Sequence, residues 1–146
     1  MCDLLIVFSK KLGDNPLLRP LVYQPNLSLQ HTLNNFIQTY VFVEQENDDQ
    51  IVEELHKRRC HLTGFCKLVV YNVLPIKAAA DVFKHYVKHS NYCDIIKKTM
   101  GTARDMNRVS CARTMALSLA VLFRDLIRDD GDRIDRQSHE FLSVKV

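Results

Sequence analysis

The chain has 146 residues, with 20 Lys+Arg against 17 Asp+Glu for a net charge of +3, and it is 47% hydrophobic and 25% charged. This balance excludes a disordered polar tail, and four glycines with no tryptophan argue against a turn-rich β-sandwich. Apolar runs are broken by charges well before the roughly 20 residues that span a bilayer, and a chain of this length buries about two-thirds of its unfolded surface, so the expectation is one soluble globular unit.

The opening Met1–Phe8 stretch is apolar but lacks a basic flank and a small-residue cleavage site, and is not read as a signal peptide. Residues 2–12 form a short apolar segment ending near Gly13. Pro16, Pro20 and Pro25 then enforce a loop, because proline locks φ and lacks the N–H that a helix needs. A helix is predicted from an N-cap at Ser28, with Leu29, Leu33, Phe36, Ile37, Tyr40 and Val41 on its apolar face. An acidic, solvated loop is expected over 44–50.

A long helix is predicted from Ile51 to Val73, its inner stripe being Ile51, Leu55, Leu62, Cys66, Val69 and Val73. Pro75 ends it. The next helix is predicted from about Lys77 to His89, with Val82, Phe83, Tyr86 and Val87 inward and Lys77, Asp81, Lys84 and Lys88 outward. Asn91 is the expected cap of a fifth helix holding Ile95, Ile96 and Met100 inside, with Gly101 weakening its end.

Asn107 caps a sixth predicted helix, running to about Asp130 before Gly131, with Ala112, Met115, Ala116, Leu119, Leu122, Phe123 and Leu126 as its core stripe. Leu117 and Val121 fall on the other side between Arg113, Arg124 and Arg128, and a helix apolar on two faces belongs between two neighbours, as in stacked helical arrays. A seventh helix is expected to begin near Ser138. Helical pairs over about 40 residues match HEAT-like spacing. The fold class is therefore all-α, a HEAT-like helical repeat or α-solenoid segment of about six helices spanning the chain, with a plain bundle as the alternative on pattern alone.

Chemistry is sparse. Five cysteines, an odd number without regular spacing, read as reduced thiols in core and surface positions. His85, His89 and Cys93 have i, i+4, i+8 spacing, but Ser90 and Asn91 end the helix before the third donor. His56, Cys60, His61 and Cys66 supply two donors at most, since Cys60 and Cys66 point about 120° apart on a helix. Gly-x-Ser-x-Gly, a phosphate-cradling glycine loop and His-Glu-x-x-His are absent, and Asp129 and Asp130 read as solvated helix-end charge. The expectation is no enzyme, no metal and no cofactor. His56, Lys57, Arg58 and Arg59 read as a solvating face, whereas Lys97, Lys98, Arg104, Arg108 and Arg113, facing only Asp105, cluster at an interhelical turn where phosphates of DNA would pair without sequence preference.

Several stretches carry more than periodicity: Leu55-His-Lys-Arg-Arg, Phe65-Cys-Lys-Leu-Val-Val-Tyr71, Ala79-Ala-Asp-Val-Phe-Lys-His-Tyr86 and Tyr92-Cys-Asp-Ile-Ile-Lys97. Together with Leu21-Val-Tyr-Gln-Pro25 and Cys111-Ala-Arg-Thr-Met-Ala-Leu-Ser-Leu119, their order and spacing resemble the SA, or stromalin, subunits of cohesin over nearly the whole chain. The resemblance implies an internal part of a longer nuclear, chromatin-associated HEAT-repeat scaffold without catalysis. It also implies a role in sister-chromatid cohesion, through binding of the kleisin subunit, through kleisin the SMC subunits, and DNA; the alternative is a diverged or incomplete helical protein-interaction module without a cohesin role. No membrane and no small-molecule substrate are implied. The kleisin contact is expected on Asp81, Lys84, Lys88, Asp94 and Lys97, and the DNA contact on Lys97, Lys98, Arg104 and Arg108. In that reading Asp81 pairs locally with Lys77 and Lys84, and Asp94 sits in the first turn of its helix.

Overall fold

The computed structural model describes residues 2–9, 13–43 and 51–143, with side-chain surroundings as far as Asp129 apart from Ile51. The acidic loop expected over 44–50 lies outside the described residues. Among those described, six α-helices and no strand are present: α1 (Cys2–Val7), α2 (Leu27–Phe36), α3 (Ile51–Val70), α4 (Ala80–Phe83), α5 (Cys93–Met106) and α6 (Arg108–Ser143). The all-α expectation is borne out, and the helices, with α3 packed on α1 and α5 and α6 on α4 and α5, form a HEAT-like segment.

The prolines act where φ restriction predicts. Pro20 lies in the 3₁₀ turn Arg19–Leu21, and the extended strip after it is tied to α1 by the Tyr23 N–H donating to the Phe8 carbonyl at 2.7 Å. The N-cap of α2 is Asn26 rather than Ser28: the Asn26 side chain accepts from the Leu29 N–H at 2.8 Å, while Ser28 lies inside the first turn. An extended Asn26 places its carboxamide oxygen on the third helical N–H, which a side chain already inside the helix cannot reach. Beyond Phe36 the helix widens into a π-turn, Ile37–Val41, that buries Ile37 and Val41.

α3 is the central element. Leu62, Leu68 and Val69 are fully buried, and Phe65 and Cys66 nearly so, against α1, the π-turn, the 3₁₀ turn Ile76–Ala79 and α5. It ends at Val70, three residues earlier than the pattern predicts, because Asn72 adopts the left-handed conformation at φ 58°. Val73 N–H then bonds Leu68 C=O at 2.9 Å and Asn72 N–H bonds Val69 C=O at 3.0 Å, the paired closure of a Schellman cap.

The predicted single helix 77–89 is replaced by the 3₁₀ turn Ile76–Ala79, the four-residue α4, and turns over 84–88. Val82 and Phe83 are buried as expected, but Tyr86 is 37% and Val87 84% exposed, the reverse of expectation. The cause is i→i+3 bonding: His85 and Tyr86 donate to Val82 and Phe83 at 3.1 Å, and this tighter winding carries the next side chains off the α-helical stripe. A further 3₁₀ turn, Ser90–Tyr92, precedes α5, so Asn91 is not the cap of that helix. α5 runs through Gly101, where an added Cβ would meet nothing within 4 Å, and buries Ile96, Thr99 and Ala103.

Asn107 caps α6 as predicted, accepting from the Ser110 N–H at 2.9 Å. The helix does not stop at Gly131 or restart at Ser138, but continues to Ser143. Its inner face is also not the predicted one. Cys111, Thr114 and Ser118 are buried with Leu117 and Val121 partly covered, whereas Leu119 and Phe123 are each 66% and Leu126 54% exposed. Small side chains let α6 approach α4 and α5 closely, and that packing displaces the larger residues outward.

His85 lies half-buried beside the core. Gln38 donates its amide to the Asp81 carbonyl at 3.3 Å, which leaves its carbonyl oxygen to accept from the His85 Nε2–H at 2.9 Å, while the imidazole stacks on Phe42 at 3.9 Å. Burial, with His89 and the nearby Lys84 and Lys88 adding to it, lowers the His85 pKa from 6.5 to about 3. Between these values the unfolded chain binds a proton that the folded chain refuses, so stability is full above pH 6.5 and declines as pH falls toward 3. Urea unfolding at pH 7.5 and 5.5 is expected to show a loss of about 1 kcal/mol in the native chain, and a clearly smaller loss in His85→Gln; equal losses in the two proteins would refute the assignment.

Candidate protein interface

The charged side chains singled out from the sequence divide into those spent on internal ties and those left facing solvent. Asp81 does not pair with Lys77 or Lys84. Its carboxylate accepts from the Asn34 amide at 2.8 Å, and its backbone carbonyl from Gln38, so it joins α4 to α2 and the π-turn. Lys84 reaches across to Asp125 on α6 at 2.9 Å with only 17% of its side chain exposed.

Asp94 sits in the first turn of α5, as expected, and is also the partner of Arg59 from α3, whose two terminal nitrogens donate to its two oxygens at 3.0 and 2.6 Å. The fork-on-carboxylate geometry holds the Asp94 pKa below its ordinary value, chiefly through the Arg59 hydrogen bond. The same guanidinium also donates to the Asn91 carbonyl.

The predicted solvating face 56–59 is therefore half structural. Arg58 is buried, donates to the Val43 carbonyl at 3.1 Å and to Glu54 at 3.3 Å, and lies 5.5 Å above the Tyr40 ring. Glu54 is held below the usual carboxylate range first by the Tyr40 hydroxyl and then by Arg58. Periodicity contains no sign of this, because Arg58 earns its burial only when residues around Val43 return over α3.

The exposed charges form two surfaces. Lys88 lies in the turn after α4, beside the protruding Val87, and Lys97 follows one turn after Asp94 on α5. Lys97, Lys98 and Arg104 are exposed along α5, with Lys97 and Arg104 at i, i+7 on one side, and Arg108 is exposed just beyond the Asn107 turn. All four residues of the expected phosphate cluster thus face solvent.

Three donors do not converge on a metal among the described residues. His56 and Cys60 approach to 3.6 Å, while Cys66 is buried elsewhere on α3, its thiol pushed up to about 11 by burial. All five cysteines are free thiols, matching the reading of the spacing. Among the described residues no helix is long and apolar enough to cross a membrane.

The outer side of α6 is an apolar surface: Val109, Leu119, Phe123 and Ile127 are each more than half exposed, with Ala112, Ala116 and Ala120 between them. An apolar face of this extent drives association when left bare. Leu119→Glu/Phe123→Glu is expected to leave the melting temperature within about 2 °C, since both side chains are already mostly in water, and to reduce self-association in analytical ultracentrifugation; a large drop in melting temperature would show that this face is covered within the chain.

No protein-family model matches the chain. Curated relatives do: "Cohesin subunit SA-1" of Xenopus laevis is 40% identical over 99% of this chain, and "Cohesin subunit SA-3" of Rattus norvegicus is 43% identical over 99% of it. "Cohesin subunit scc-3" of Caenorhabditis elegans is 28% identical, again over 99% of the chain. The chain spans only 13%, 12% and 14% of the lengths of these three proteins.

Proposed function

We propose that this chain, a counterpart of one segment of the cohesin SA family, is a non-catalytic scaffold segment in a nuclear, chromosome-associated cohesin assembly. Its partner is the kleisin subunit, and through kleisin the SMC subunits. The observation that carries the reading is the turn after α4, where Val87 is 84% exposed between Tyr86 and Lys88 on the approach to Asp94 and Lys97. An apolar tip inside a charged rim is the usual anatomy of a protein contact.

Within the expected contact set the residues carry unequal weight. Lys88 and Lys97 are exposed, and Asp94 keeps 62% of its side chain accessible although it is paired. Asp81 and Lys84 are engaged with Asn34 and Asp125, so they support the surface from beneath. Charge reversal of Asp81 is for this reason a folding perturbation as well as a binding one.

Val87→Asp/Lys88→Glu/Lys97→Glu is therefore the cleaner variant. It is expected to keep the helical circular dichroism signal and to weaken capture by purified kleisin at least about tenfold, or roughly 1.4 kcal/mol. Undiminished capture by a folded variant would remove this surface from the proposal.

The second proposed contact is DNA, through Lys97, Lys98, Arg104 and Arg108, all exposed. Four phosphate pairings give weak, sequence-blind binding with a log–log salt slope of about −3.6, from about −0.9 per phosphate. Reversal of all four to Glu is expected to abolish duplex binding at low salt in a fluorescence-anisotropy titration; an unchanged isotherm would refute the assignment.

A further inference from the structure

A groove of 630 Å³ lies between the end of α3, the 3₁₀ turn Ile76–Ala79 and the α5–α6 junction; of the bases read as a phosphate-pairing cluster only Arg113 lines it, and none of the residues proposed to contact kleisin or DNA does. Its floor and walls include the apolar Ile76, Met106 and Leu117, and its charged lining residues, Lys77 and Arg113, are both cations. Asn107 and Ser110, at the N-terminus of the 36-residue α6, also border it, so the positive end of that helix dipole adds to the field of the two side chains. No carboxylate lines the groove to neutralise them.

A second depression adjoins the groove at the turn. Asn72 and Pro75 line the groove and also line this 200 Å³ depression, whose wall carries Ser9, Tyr23, Gln24 and Gln30. That second part is polar and uncharged, a surface suited to main-chain hydrogen bonds. The left-handed Asn72, held by the cap of α3, is thus the bridge between a cationic, apolar half and a neutral, polar half.

We propose that this groove, with the depression beside it, binds an extended acidic peptide segment, placing an apolar side chain against Met106 and Leu117 and a flanking Asp or Glu between Lys77 and Arg113. A nucleic acid fits less well: two cations neutralise few phosphates, and a recessed wall of Ile76, Met106 and Leu117 gains from an apolar side chain but not from a sugar-phosphate backbone. The inference uses none of the residues proposed above to contact kleisin or DNA, and the duplex competition below separates Arg113's role here from phosphate pairing.

A phage-displayed random dodecapeptide library panned on the full chain tests it. Enriched sequences are expected to place Asp or Glu beside Leu, Phe or Met, and to bind Lys77→Glu/Arg113→Glu at least about tenfold more weakly. Lys77→Arg/Arg113→Lys, which keeps both charges, is expected to retain binding, as is Lys97→Glu/Lys98→Glu on α5. Circular dichroism and melting confirm that each variant is folded. The proposal is overturned by a library without acidic enrichment, by peptides that bind the double-Glu protein normally, by equal loss on the α5 variant, or by displacement of the peptides by a short DNA duplex.

Discussion

Everything else in this molecule is arranged around the burial of one face of α3. Leu62, Leu68 and Val69 have no exposed surface, and each contributes roughly 1.5–3 kcal/mol relative to exposure in water. A helix covered by α1, the π-turn, the 3₁₀ turn Ile76–Ala79 and α5 must stop where its neighbours need to pass. Asn72 makes that stop by entering the left-handed region, which an asparagine tolerates and a β-branched residue does not. The reversal brings Leu74 into the core at 0% exposure and places Pro75 to start the next turn.

Around that core, charge works as a fastener. Arg58 holds the chain at Val43, Arg59 clamps α3 to the first turn of α5, Lys84 links the turn after α4 to α6, and Asp81 anchors α4 to α2. Each tie joins residues at least 15 apart in sequence, the longest 47. The Arg59–Asp94 pair is partly solvent-exposed, at 35% and 62% of the two side chains, and is worth little by itself, but the Arg58 guanidinium and Lys84 ammonium groups are sheltered and fix orientation as well as energy. The surface left for partners is the remainder: the Val87 tip, the bases on α5 and α6, and the groove at the α5–α6 junction.

α6 shows why a solenoid segment is unlike a closed bundle. Its small-residue side, Cys111, Thr114 and Ser118, is already occupied by α4 and α5, while the side with the larger apolar groups faces outward. In a repeat protein each helix pair buries its second face only against the next pair. α6 is two-faced in this sense, with one side occupied by neighbouring helices and an exposed apolar side.

The sequence by itself determined the helical class, the loop prolines, the Asn107 cap and most of the α3 stripe, because these depend on local backbone sterics and on a 3.6-residue period. The resemblance carried in stretches such as Phe65–Tyr71 also lay fully in the sequence. Only tertiary structure decided which face of α6 is inner, since Leu119 and Phe123 outrank Thr114 and Ser118 on any hydropathy pattern, yet close approach to α4 and α5 selects small side chains. Only tertiary structure turned Tyr86 and Val87 outward, by tightening the end of α4 into 3₁₀ geometry, and only it made Asp81, Lys84 and Arg58 internal. The groove was illegible for the same reason: Asn72, Lys77, Met106 and Arg113 share no period and no motif, and they meet because the end of α3 and the α5–α6 junction are packed side by side.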